Sequence, residues 1–364
     1  MICIKKNIVS AFLVFSFCRA FAITSALVTN TDNDNVSFID ISNPAVPSVI
    51  STVTVGNGPQ YVAITPNGQV ALVANFNSET VSIIDISNPA APSVISTVDV
   101  GDDPYGIAIT PNGQVALVAN SDDNNVSIID ISNPATSSVI STVTVGTTPR
   151  GVAITPNGQV ALVANLDSDN VSIIDISNPA TASVITTLSV GVGPNSVAIA
   201  PNGQHAFLTC LFSDNFRIVD ISNPAAPSVI STVTVGDAPY GIAITPNGQV
   251  ALVANSNSNN VSIINISNPS APSVISTVAV GTTPYNVAIT SDGQTALVPN
   301  PYDDNVSIID ISNPATPFVI TTVAVGLLPT GVAIAPAPNA SSAAKSSGLF
   351  RQITPNNPGR NLFN

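Results

Sequence analysis

Asp40-Ile41-Ser42-Asn43-Pro44 returns six times, as Asp85, Asp130, Asp175, Asp220, Asn265 and Asp310 each followed by Ile-Ser-Asn-Pro. Neighbouring copies are always 45 residues apart, so seven copies fill 315 of the 364 residues. Self-similarity at this period outranks any domain count drawn from length. Within one period lie four short Val- and Ile-rich runs, in the second copy Tyr61 to Thr65, Val70 to Asn75, Val81 to Ile86 and Val94 to Val100. Turn formers bound them: Pro66-Asn67-Gly68, Asn77-Ser78-Glu79, Asn88-Pro89 and Gly101-Asp102-Asp103-Pro104. Four antiparallel strands per 45 residues predict an all-β fold, a seven-bladed β-propeller of four-stranded antiparallel blades.

The repeats start and stop out of phase with the blades. The body opens at Ala26-Leu27-Val28-Thr29-Asn30, a second strand, and closes at Gly331-Val332-Ala333-Ile334-Ala335, a first strand. Seven complete blades therefore require the N- and C-terminal strands to pair in one blade, which also hides two sheet edges.

Leu27-Val28-Thr29-Asn30, echoed as Leu72-Val73-Ala74-Asn75 and followed by Val81-Ser82-Ile83-Ile84-Asp85, resembles the YVTN family of propeller repeats over residues 26 to 336. The leading Tyr of that motif is Leu in six copies and Phe207 in the fifth. Ile84-Asp85-Ile86-Ser87-Asn88-Pro89 is similar to LVIVD-type repeats. Both resemblances imply the same ring. With no Trp in the chain, blades pinned by tryptophan are excluded.

Charged residues make up 8% of the chain against about 25% in ordinary domains. All 21 acidic residues lie between Asp32 and Asp310, where the basic residues are Arg150 and Arg217, a net of −19. Such a body repels phosphate backbones and anionic headgroups, which argues against nucleic acid and against stable membrane insertion as partners. Lys5 and Lys6, the apolar run Ile8 to Cys18 and Ala20-Phe21-Ala22 read as a signal peptide over residues 1–22. The run has eleven residues, where a spanning helix needs about twenty. The expected product is exported, to the periplasm, the cell surface or the medium. Its propeller spans 23–336, and a low-complexity tail, 337–364, is expected to be disordered. Loss of the signal removes Cys3 and Cys18 and leaves Cys210 as a lone thiol.

In such a blade the loops after strands two and four share one face, and the loops after strands one and three share the other. The second face carries the near-constant Thr-Pro-Asn-Gly-Gln and Asp-Ile-Ser-Asn-Pro segments, whose Asp is suited to accept turn N–H groups. The first face diverges. Its acidic tips, such as Asp32-Asn33-Asp34, Asp122-Asp123, Asp167-Ser168-Asp169 and Asp303-Asp304, read as solvated turns with Ca²⁺ as the alternative. No other cofactor is expected.

The residue after each loop proline is expected to ring the channel mouth on that face: Gln60, Tyr105, Arg150, Asn195, Tyr240, Tyr285 and Thr330. Three phenols, one cation and two amides at otherwise uniform positions suit a protein, peptide or glycan partner, with Arg150 able to grip an anion. The fifth copy departs from the pattern at His205, Phe207, Cys210, Phe212, Phe216 and Arg217. His205 and Cys210 stand at opposite ends of one strand, about 16 Å apart, too far for a nucleophile–base pair. The expected function is a non-catalytic binding scaffold of the surface or adhesion type, as the YVTN resemblance implies. The alternative is a lactonase-like or metal-assisted propeller enzyme acting at the channel mouth, and the balance leans against an enzyme. The motif Cys-x-x-Cys-His for haem attachment is absent.

Overall fold

The computed structural model describes residues 24–336. The expected signal peptide and tail lie outside them. Seven four-stranded antiparallel sheets form the molecule. Blade 2 shows the plan, with strands A to D numbered from the axis outward: Pro59–Ile64, Val70–Asn75, Thr80–Asp85 and Ser93–Asp99. Blades 3 to 6 follow with inner strands Pro104–Ile109, Pro149–Ile154, Pro194–Ile199 and Pro239–Ile244. Blade 1 draws on both ends of the chain. Its inner strand, Pro329–Ile334, pairs with Ser25–Asn30 in the register Ala26↔Ile334, Leu27↔Ala333 and Val28↔Val332.

Strand B is buried on both faces because each blade is sandwiched between neighbours. Every residue of Val70–Asn75 is buried. Hydrophobic clusters stand at all seven blade interfaces, with Leu72, Val81 and Ile83 of blade 2 packed on Ile107, Ala116 and Val118 of blade 3. In blade 5, Phe207 and Phe216 stack with ring centroids 5.7 Å apart and fill the interface toward Ala251 and Val253. The divergence of that copy is thus largely a repacked interface. Cys210 and Arg217 stand where other blades place a bonded Asn–Ser pair such as Asn75 and Ser82. The buried Cys210 thiol is pushed up to about 11 by desolvation, with Arg217 opposing the shift.

The Asp-Ile-Ser-Asn-Pro phrase is explained by backbone satisfaction. Asp40 Oδ1 accepts the Ser42 N–H at 2.9 Å, Asp85 that of Ser87 at 2.9 Å, and Asn265 that of Ser267 at 3.0 Å. The Pro89 carbonyl accepts the Ser51 hydroxyl of the preceding blade at 2.6 Å, a staple repeated from Ser96 to Pro134. On the opposite face the acidic loops do similar work. Asp34 Oδ1 accepts the Gly58 N–H, Asp169 Oδ1 that of Gly193 and Asp304 Oδ1 that of Leu328, each from one blade to the next. Part of the acidity of this face therefore latches neighbouring blades together.

Blade 7 breaks the pattern where it matters for the mouth. Its inner strand is reduced to Ala288–Ile289. Its strand B reads Thr-Ala-Leu-Val-Pro-Asn, and the Pro299 carbonyl faces the inner strand, accepting the Tyr285 N–H at 3.1 Å. Backbone N–H and C=O of one strand residue point the same way, so Pro299 withholds the N–H that the other blades offer there. The segment before Ala288 keeps the Tyr285 bond but drops out of the regular ladder. Among the described residues no helix is long and apolar enough to cross a membrane.

Candidate functional site

The inner strands begin on the loop-bearing face, and their first residues converge at the axis. Tyr105 of blade 3 and Tyr285 of blade 7 start from opposite sides of the ring, yet their hydroxyls are hydrogen-bonded to each other. Tyr240 packs on Tyr285 with ring centroids 4.6 Å apart, and Tyr61 lies against Tyr105 at 5.2 Å. The guanidinium carbon of Arg150 sits 4.3 Å from the Tyr105 ring centroid, a cation–π contact. Four phenols and a guanidinium thus gather at the axis as a plug.

The seven expected ring residues divide into two groups. Tyr105, Arg150, Tyr240 and Tyr285 are brought together. Thr330 is buried and turned sideways, its hydroxyl within 3.0 Å of Thr31 Oγ1 and 3.1 Å of Thr29 Oγ1 and of the Gln60 carbonyl. Gln60 takes part in that seam through its carbonyl. Asn195 is fully buried, with Nδ2 placed 3.4 Å from the Tyr240 carbonyl. Thr330 and Asn195 therefore hold blades together instead of lining the mouth. Tyr61, one place beyond the expected position, joins the plug. A signal for it existed: the matching position is glycine in four blades, and a Cβ on Gly106 would stand 2.1 Å from the Arg150 carbonyl. A tyrosine there is a costly departure from a tight backbone approach.

Burial sets the protonation of the cluster. It raises the phenols of Tyr61, Tyr240 and Tyr285 above their ordinary value, with Tyr105 adding to each shift. Burial alone would lower Arg150, but Tyr105, Tyr285 and Tyr240 outweigh it and keep the guanidinium charged. Its Nε is buried with no hydrogen-bond partner among the described residues, as is the Tyr61 hydroxyl. Protonated phenols beside a charged guanidinium form an electrophilic cluster, of the sign that suits a carbonyl oxygen or an oxyanion. At its edge Asp103, two residues before Tyr105, has its carboxyl raised by burial and by Asp122 and Asp102, with Arg150 pulling the other way. Asp103 is thus within electrostatic reach of the guanidinium and better matched to accept a proton than an ordinary aspartate.

Among the described residues no group of three or more His, Cys, Asp or Glu side chains is arranged to hold a metal ion. Beside the plug, over blades 5 to 7, runs a cleft of about 560 Å³ that reaches Tyr240.

A family model described as "Lactonase, 7-bladed beta-propeller" matches residues 99–184, and an LVIVD repeat model matches 31–55, 62–100, 210–235, 247–280 and 303–325. The LVIVD resemblance is thereby shown on a seven-bladed ring, with which the YVTN reading is compatible. No curated protein matches the chain. Among solved structures it is similar to the periplasmic gluconolactonase PpgL of Pseudomonas aeruginosa, at 15% identity and TM-score 0.77, covering 87% of this chain and 100% of that one. A Bacteroides uniformis protein provisionally assigned as a 6-phosphogluconolactonase shares 15% identity at TM-score 0.78, over 86% and 99% of the two chains. Hydrazine synthase of Kuenenia stuttgartiensis shares 22% at TM-score 0.69, over 79% and 93%. At these identities the structural likeness establishes the fold. The lactonase match corrects the expected non-catalytic scaffold: the stretch carrying Asp103, Tyr105 and Arg150 fits a lactonase model, so the enzymatic alternative is the better supported one.

Proposed function

We propose that this chain hydrolyses a lactone at the plugged, loop-bearing end of its channel. One observation supports the proposal: the segment that fits a lactonase model, 99–184, carries Tyr105 and Arg150, which stack at the axis, with Asp103 two residues before Tyr105 in the chain. In this mechanism the Arg150 guanidinium takes the acyl oxygen of the lactone. Asp103 accepts a proton as water attacks the acyl carbon, and negative charge gathers on the oxygen that Arg150 holds. Collapse breaks the ring C–O bond, and the proton held on Asp103 passes to the departing alkoxide, leaving a hydroxy acid whose carboxyl proton is released. The buried phenols remain protonated throughout and add dipoles of the same sense.

Export belongs to the same proposal. It rests on Lys5 and Lys6, the apolar run to Cys18 and Ala20-Phe21-Ala22, and is supported by the periplasmic setting of one structural relative. The test is acid release from glucono-δ-lactone and from γ-lactones in a pH-stat, corrected for spontaneous opening. Catalysed release that Arg150→Ala removes is expected. Failure to accelerate any lactone, or equal rates in that variant, would overturn the proposal.

A further inference from the structure

We propose that the cleft above blades 5, 6 and 7 is a carbohydrate subsite that takes a neutral pyranose-containing ligand. The second position of the loop after strand B is Asp32, Asn77, Asp122, Asp167 and Asn257 in five blades, but Phe212 in blade 5 and Tyr302 in blade 7. These two aromatic side chains are 63% and 72% exposed, and both line the cleft, with Asn257 of the intervening blade between them in the series. Where five blades place Asp or Asn, these two rings leave apolar surface in water on the same cleft, a contact face for a ligand. Phe212 is also held in place. A Cβ on Gly193, whose φ is +67°, would stand 2.4 Å from its ring, so the loop backbone lies directly against it.

The polar lining names the ligand class. Asp214 spends Oδ1 on the Ala238 N–H at 2.9 Å, leaving its other oxygen, while Asp237 gives its N–H to Ser258 and presents an exposed carboxylate. Carboxylate acceptors between exposed aromatic faces match the hydroxyl edge and the C–H face of a pyranose. None of the lining residues is basic, so a phosphorylated sugar meets two carboxylates with no counter-charge. The cleft reaches the plug at Tyr240. The link to turnover rests on the lactonase proposal and would make the substrate a sugar-bearing or sugar-derived neutral lactone. Binding itself does not depend on it.

The experiment is calorimetric titration of the full chain with maltotriose, cellotriose, triacetylchitotriose and 6-phosphogluconate. At least one neutral trisaccharide is expected to bind with little dependence on salt, and at least tenfold more weakly in Phe212→Asn and in Tyr302→Asn. Both variants import the residue of blades 2 and 6, and an unchanged melting midpoint checks their fold. Absence of binding by all three neutral sugars, binding unaffected by both variants, or preference for 6-phosphogluconate would overturn the subsite. Sugar binding retained in a protein that opens no lactone would sink the catalytic proposal and leave this one standing. Lactone turnover without sugar binding would do the reverse.

Discussion

Arg150 is one of two basic residues in a body of 21 acidic ones, and its guanidinium lies over an aromatic ring. Removing one such donor from a developing oxyanion costs about 10²- to 10³-fold in kcat. Arg150→Ala is expected to fall by that much on the best lactone, and Arg150→Lys to recover part of it, as steady-state rates will show. Asp103 sets the pH profile. Its carboxyl is raised, so the acid limb of kcat/KM should lie above the ordinary aspartate range, and Asp122→Asn, which deletes a neighbouring negative charge, should move the limb to lower pH. The same shift has a stability consequence. A carboxyl raised on folding binds its proton more tightly in the native state, so the parent gains stability as pH falls through that range, and Asp103→Asn should lack the gain. Asp130, Asp175 and Asp220 act with the opposite sign. Hydrogen bonds from Ser132, Ser177 and Ser222 hold them low, and the stability they lend above the unfolded aspartate value is lost as pH falls.

Strand order, the face on which each loop emerges and the turn role of the repeated Asp were legible because turn chemistry repeats with the period. Asp85→Ala should cost about 1 kcal/mol in urea unfolding, while Asp85→Asn should cost little, since Asn265 makes the same bond. The shortening of the blade 7 inner strand to Ala288–Ile289 was not legible from its own segment. Its cause is Pro299 on the adjacent strand, and the effect crosses between strands through a missing N–H. Pro299→Ala restores that donor. Hydrogen exchange at Asn286 and Val287 should slow as the ladder extends. Likewise Thr330 and Asn195 share the register of Tyr105, but their short side chains find buried partners before reaching the axis. Of the seven positions the repeat picks out, Tyr105, Arg150, Tyr240 and Tyr285 meet at the axis.

At the scale of the whole molecule, the ring was legible from arithmetic, because a body that starts on strand B and ends on strand A has one way to complete seven blades. Deleting residues 331–364 removes most of the inner strand of blade 1 and uncovers Ala26 and Val28. Loss of a single cooperative melting transition is expected, and a truncated chain melting like its parent would contradict closure. The pairing of Ala26 with Ile334 also dictates an order of events in time. At about 5–20 residues per second of synthesis, the first blade waits on the order of 15–60 s for a partner made some 300 residues later. Throughout that interval the nascent ring carries an unzipped sheet margin at Ser25–Asn30, the point at which a chaperone would have most to shield and a second nascent copy most to invade.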